Sequence, residues 1–192
     1  MKFLTDFGDS AVLLPMSAVM LIWLLAMRPV AMALWWGGAL LFLGGVMGGL
    51  KALFFACPPT ADIISPSGHT GFSLLVYGGL AVIIAADRRA LWLKALIILT
   101  ALAFAVAIAV SRVKLEMHST PETVIGFTVG AVSLGIFSLS YLHAGAKRHR
   151  IVPLLIGVAA TLFLFYGSRL NAEDNLHALT GLLDLHELFC PR

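Results

Sequence analysis

Six apolar stretches, at about residues 11–27, 30–56, 68–86, 91–111, 121–142 and 151–167, leave the chain almost no side that could face water. With 60% of its 192 residues hydrophobic and 12% charged, a soluble globule of this sequence would lack the polar surface to cover its core. A bilayer removes that difficulty, and roughly 20 mainly apolar residues suffice for a helix to span it. The expected fold class is therefore an all-α integral membrane protein. It should be a six-transmembrane-helix bundle with a short C-terminal amphipathic helix, in one domain over residues 1–192. Connections are short, no segment has low complexity and no repeat stands out, so the function must lie among the helices or at their mouths.

The net charge of +3 comes from scattered cations and forms no basic stripe of the kind that binds nucleic acid. Their placement gives an orientation instead. Arg28, Arg88, Arg89, Lys94, Lys147, Arg148 and Arg150, seven of thirteen Lys and Arg, fall on one side of the predicted bundle. By the positive-inside rule that side is cytoplasmic, which puts both termini outside. The first helix follows the acidic segment Thr5-Asp6-Phe7-Gly8-Asp9-Ser10 and ends at Met27-Arg28, the reverse of a signal peptide, and is expected to be retained.

Small residues mark packing faces. Gly44/Gly48 and Gly45/Gly49 recur at four-residue spacing on the second helix, and Gly126, Gly130 and Gly135 lie on the fifth. Such residues let backbones approach closely in lipid. Ionisable groups at a span are costly and tend to face a bundle interior or a cavity. Lys51, His69, Arg112, Lys114, Glu116, His118 and Glu122 all fall at the outer ends of helices two to five, so one mouth of the bundle is polar and carries histidines.

Two segments carry the chemistry. Ser65-Pro66-Ser67-Gly68-His69-Thr70 opens the third helix, with Ser65 expected as N-cap and Pro66 at the first helical position. A helix start of this kind is an anion site, and Gly68 lets an oxyanion approach the backbone. The second segment, Ser111 to Glu122, brings Arg112, whose guanidinium fork fits phosphate oxygens, and His118 to the same mouth. Glu122, four residues beyond His118, can accept the imidazole Nδ1–H and so orient a nucleophile.

Pro66-Ser67-Gly68-His69, followed by Ser111-Arg112 with five residues before His118, resembles the type-2 phosphatidic acid phosphatase family, a superfamily that also includes vanadium haloperoxidases and glucose-6-phosphatase. The family pattern is Lys-x6-Arg-Pro, Pro-Ser-Gly-His and Ser-Arg-x5-His-x3-Asp, and the resemblance covers residues 51 to about 126 in the family's order. It implies a membrane lipid phosphatase or diphosphatase in a bacterial inner membrane, with its site on the periplasmic side. His118 would be the nucleophile, forming a phosphohistidine, and His69 the acid that protonates the departing lipid oxygen and then activates water. Lys51, Ser67, the Gly68 N–H and Arg112 would hold the phosphate oxygens. The scheme requires no metal or cofactor, and its partner is a lipid phosphate drawn from the bilayer. Undecaprenyl diphosphate, phosphatidylglycerol phosphate, phosphatidic acid and lipid A phosphates are family substrates among which nothing in the sequence chooses. The alternatives are a lipid-to-lipid phosphotransferase on the same scaffold and a non-catalytic polytopic transporter or scaffold, which would not need both motifs.

The chain departs from the pattern twice. Seven residues after Lys51, Pro58 stands where the family has arginine, and Glu122 stands where it has aspartate. Lys114 is the nearest cation in sequence that could substitute for the arginine, with Arg169 and Arg192 as alternatives. Cys57 precedes Pro58 and Cys190 lies in the last segment, both on the predicted outer side, where an oxidising periplasm would let them pair and bring Arg192 toward the position of Pro58. Residues 168–192 alternate leucines with acids and read as the amphipathic tail helix, in which His177 and His186 match no strong metal-binding spacing.

Overall fold

The computed structural model describes residues 1–57, 63–144 and 150–170. The Pro58 replacement, the Cys190 end of the expected disulfide, Arg192 and the tail helix beyond residue 170 lie outside the described residues. Within them the regular structure is helical: α1 (Lys2–Asp6), α2 (Ser10–Met27), α3 (Val30–Ala56), α4 (Gly68–Ala86), α5 (Leu91–Lys114), α6 (Thr120–His143) and α7 (Val152–Phe165).

Five of these, α2 to α6, are long and apolar enough to cross a membrane. Among the described residues a sixth helix of that length is not seen, because α7 has 14 residues. At 1.5 Å per residue that is about 21 Å, against a hydrocarbon core of about 30 Å. The helix stops where Tyr166 turns extended (ψ 131°) and Gly167 takes a positive φ of 81°, a conformation that glycine adopts without strain. Even so, residues 150–170 run the length of α2. Trp23 Nε1 donates to the Arg150 carbonyl at one end (3.1 Å), and Leu170 N donates to Asp9 Oδ1 at the other (3.2 Å). Between them Gly157 faces Val19 so closely that a Cβ would sit 2.6 Å from Val19 Cγ1.

The helix α4 is the enclosed centre, buried on most of its circumference and packed against α5 and α6. Its contact with α6 is a backbone-to-backbone one. A Cβ on Gly126 would overlap the Ser67 carbonyl oxygen, and one on Gly130 would lie 2.6 Å from the Gly71 carbonyl oxygen. The expected α6 packing face is therefore real at Gly126 and Gly130, while a Cβ on Gly135 would meet no described residue within 4 Å. The α3 face expected from Gly44, Gly45, Gly48 and Gly49 does not close on another helix among the described residues. Among the described residues a Cβ on Gly44 would meet only Phe72, at 3.9 Å, and one on any of the other three would meet nothing within 4 Å. Close approach here uses Gly71, inside α4, which spacing on α3 could not reveal. Below this contact, Trp36 donates from Nε1 to Ser17 O (3.1 Å) and meets Phe137 edge-on at 4.9 Å, tying α3 to α2 and α6.

The end of α3, the start of α4, the end of α5 and the start of α6 come together at the end of the bundle that also holds α1 and the start of α2. The candidate site is built there.

Candidate active site

The segment between α5 and α6 is a pair of helix caps with one residue between them. Glu116 N donates to Val113 O (3.0 Å) and Met117 N to Arg112 O (3.1 Å), the two bonds of a Schellman turn, with Glu116 in the left-handed position at φ 56°. Ser119 then caps α6, its side chain accepting from Glu122 N (3.4 Å) while Glu122 Oε2 accepts from Ser119 N (3.0 Å), a reciprocal capping box. His118 is the residue left between the two caps. It is 7% exposed, so the loop delivers a buried imidazole rather than a surface one.

Glu122 is the hub around it. Oε2 lies 3.0 Å from His118 Nδ1, and Oε1 accepts from Ile64 N (2.7 Å) and Ser65 N (2.6 Å). The Glu122 main-chain carbonyl accepts from Ser67 N (3.1 Å). One residue thus clamps the Pro-Ser-Gly-His segment and orients His118. Nδ1 faces this carboxylate, and Nε2 is the ring's other nitrogen.

This clamp also corrects the expected cap of α4. Ser67, not Ser65, is the N-cap, and the helix begins at Gly68. The residue before a proline is pushed to extended backbone, so Pro66 keeps Ser65 out of the helix. The Ser65 hydroxyl is used elsewhere, accepting from Lys51 Nζ at 2.7 Å. Lys51 is 9% exposed, and its Cε lies 3.9 Å from where a Cβ on Gly68 would stand, so the ammonium stem runs along the start of α4. Lys51, Ser65, Glu122 and His118 form one hydrogen-bonded chain. Ser67 is fully buried, its hydroxyl accepting from Thr70 Oγ1 (3.0 Å).

His69 and Arg112 line a cavity of about 360 Å³ beside this wall, together with Lys2, Thr5, Asp6, Asp9, Met117 and Arg169. Buried Arg112 donates from Nη1 to Thr5 Oγ1 (3.2 Å) and toward Met117 Sδ (3.0 Å). His69 Nε2 lies 3.6 Å from Asp9 Oδ2. Burial pushes the Asp9 carboxyl up, but His69 and the Ala11 and Leu170 N–H groups outweigh it and hold the group below its ordinary range. Arg169 pairs with Asp6 at 3.6 Å while remaining largely exposed.

Of the residues expected at the site, the structure joins Lys51, Ser67, Gly68, His118 and Glu122 in one wall and puts His69 and Arg112 on the adjoining cavity. Lys114 is exposed in the last turn of α5. Of the cations considered for the arginine position, Arg169 lines the cavity, and Lys2, unforeseen, joins it. Thr5 and Asp9 also went unforeseen. Their signal was the polar segment before the first helix, read only for what it says about a leader.

Residues 32–146 match the model of the PAP2 superfamily, a range that contains Lys51, Ser67 to His69, Arg112, His118 and Glu122. A protein of Klebsiella pneumoniae described as an uncharacterized 22.5 kDa protein in the cps region is 28% identical over 140 residues, covering 71% of this chain. The match spans 66% of that relative, just under two thirds of its length. No solved structure matches.

Proposed function

Because this chain belongs to the PAP2 superfamily, whose members have phosphatase-type activity on phosphate esters, we propose that it hydrolyses the phosphate ester or anhydride of a lipid head group. The proposed site lies at the outer face of a bacterial inner membrane, both termini on that side. Substrate is drawn sideways from the bilayer. The observation that carries this reading is the His118–Glu122 pair beside a cavity that holds His69 and Arg112.

In the proposed reaction His118 Nε2 attacks phosphorus, the bond to the lipid oxygen breaks, and that oxygen takes a proton from His69. Water then attacks the phosphohistidine, giving its proton back to His69, and phosphate leaves with His118 restored. Lys51, Ser67, the Gly68 N–H and Arg112 hold the equatorial oxygens, where charge gathers in phosphoryl transfer. With Pro58 in the place of the family arginine, Arg169 and Lys2, which line the cavity, are candidates to supply the missing charge.

The test is phosphate release from a panel of purified lipid phosphates and diphosphates by the protein in detergent without added metal, with His118→Ala and His69→Ala beside it. Release by the wild type that is lost in His118→Ala supports the reading. Turnover retained in a folded His118→Ala protein would sink it. Appearance of lipid-bound rather than free phosphate would make the enzyme a phosphotransferase.

A further inference from the structure

His118 has its carboxylate four residues away, inside the family match, whereas the carboxylate beside His69 comes from a part of the chain that the match does not reach. Asp9 precedes residues 32–146. It is 7% exposed and held from three sides, by its place as N-cap of α2 with Ala11 N on Oδ1 (2.8 Å), by Leu170 N on the same oxygen (3.2 Å), and by His69 Nε2 at 3.6 Å from Oδ2. A carboxylate so far out of water needs a cationic or hydrogen-bonding partner on each oxygen. Oδ1 has two backbone donors, and the imidazole is the group at Oδ2. The charged neighbours around the same cavity are engaged otherwise: Arg169 with Asp6, and Arg112 with Thr5 and Met117. Lys2 completes the charged lining.

The geometry points to Asp9 as a positioning residue for His69, resting on the proposed function above: its carboxylate keeps the proton on Nε2 and turns Nδ1 to the leaving oxygen. The acid thus has an orienting carboxylate as the nucleophile has one, and it is supplied by the segment before the first long helix. The two pairs do different work. Glu122 makes a neutral imidazole a better nucleophile, while Asp9 stabilises the protonated imidazole that must deliver a proton.

Two measurements test this. The first needs no turnover: 15N NMR of the histidine side chains in the intact protein, at a pH where the ring is neutral, should show His69 carrying its proton on Nε2. In Asp9→Asn that preference should be lost, while the N-cap is kept because asparagine caps as well as aspartate. Equal tautomer populations in the two proteins overturn the proposal. The second compares kcat/KM for an alkyl phosphate lipid, whose alkoxide must be protonated to leave, with p-nitrophenyl phosphate, whose phenolate leaves unaided. Asp9→Asn should lose about 10- to 100-fold on the alkyl substrate, part of the roughly 10²–10⁴ a positioned proton donor supplies, and stay within about threefold on the aryl one. Equal losses on both substrates, or none on either, overturn it. His69→Ala separates the two readings, because a variant that loses both substrates alike removes His69 as the acid and the proposed mechanism with it, whatever the NMR result.

Discussion

Glu122 Oε2 stands 3.0 Å from His118 Nδ1, while Oε1 of the same carboxylate takes the N–H groups of Ile64 and Ser65 at 2.7 and 2.6 Å. Four donors converge on this group, counting Ser119 N. The glutamate is thus more than a longer substitute for the family's aspartate. From the third position of α6 its extra methylene lets one carboxylate reach both the histidine and the segment that opens α4.

Glu122→Gln replaces one acceptor oxygen by an NH₂ that must face a donor. It should lower kcat by roughly 10²–10⁴-fold through loss of the oriented imidazole, the range seen when an orienting carboxylate becomes an amide. Glu122→Asp should restore more of the rate than stability, since a shorter side chain loses hydrogen bonds worth about 1 kcal/mol each. Initial rates together with thermal unfolding in detergent check both; an aspartate variant as stable as the wild type would show that the Ile64 and Ser65 bonds carry no weight.

Arg112 is buried with Nη1 between Thr5 and Met117, and its side chain lines the cavity. Lysine keeps the charge and loses the two-pronged geometry. Arg112→Lys should cost about 10²–10³-fold in kcat/KM, the scale of removing one donor to a charge that develops in the transition state. Steady-state kinetics with a lipid phosphate measure it, and a loss under threefold would remove Arg112 from the phosphate site.

Asp9 makes stability depend on acid. Its carboxyl is held below the ordinary value of 3.8, so the folded protein binds this proton less readily than the unfolded chain does. The stabilisation is therefore fully present above about pH 4 and is lost as pH falls through the lowered folded value. Below about pH 4 the difference in unfolding midpoint between wild type and Asp9→Asn should shrink as acid protonates the carboxylate. A difference that grew below about pH 4 would reverse the sign argued here.

Gly126 separates packing from decoration. A Cβ there would overlap the Ser67 carbonyl, which is backbone and cannot rotate away, whereas no described residue lies within 4 Å of the Cβ position at Gly48. Gly126→Ala should destabilise by about 1–3 kcal/mol or more and shift Ser67 with it, while Gly48→Ala should be neutral or slightly stabilising through its better helix propensity. Unfolding in mixed micelles ranks the two, and equal effects would contradict the α4–α6 contact.

Much of this was legible because the sequence signals are local. Hydropathy runs placed α2 to α6 within a few residues, and the Pro-Ser-Gly-His and Ser-Arg-x5-His segments drew attention to one mouth. What stayed hidden depends on contacts between distant segments. Ser65 looked like an N-cap until Lys51 and Glu122 claimed it, and nothing in the spacing of Gly71 marks it as the partner of Gly126 and Gly130. Asp9 sat in an acidic stretch whose tertiary neighbour lies sixty residues away. The α3 glycines close on no other helix among the described residues, and periodicity shows that a face is small but not which element lies against it.

Glu116 offers a change that should help the fold. It holds φ 56° at the left-handed position of the Schellman turn that ends α5, a conformation costing a residue with a Cβ roughly 1–2 kcal/mol. Its side chain is exposed, and the two turn bonds, Glu116 N to Val113 O and Met117 N to Arg112 O, are made by backbone. Glycine keeps both bonds and removes the clash, although it adds conformational freedom to the unfolded chain worth several tenths of a kcal/mol. Glu116→Gly should therefore gain about 0.5–1 kcal/mol net. It should leave kcat unchanged, because the turn still delivers His118 between the same two caps. Glu116→Ala, which keeps the Cβ, should show no such gain. Thermal unfolding of the three proteins in one detergent decides it, and a glycine variant less stable than the alanine one would mean that the left-handed backbone here is not strained.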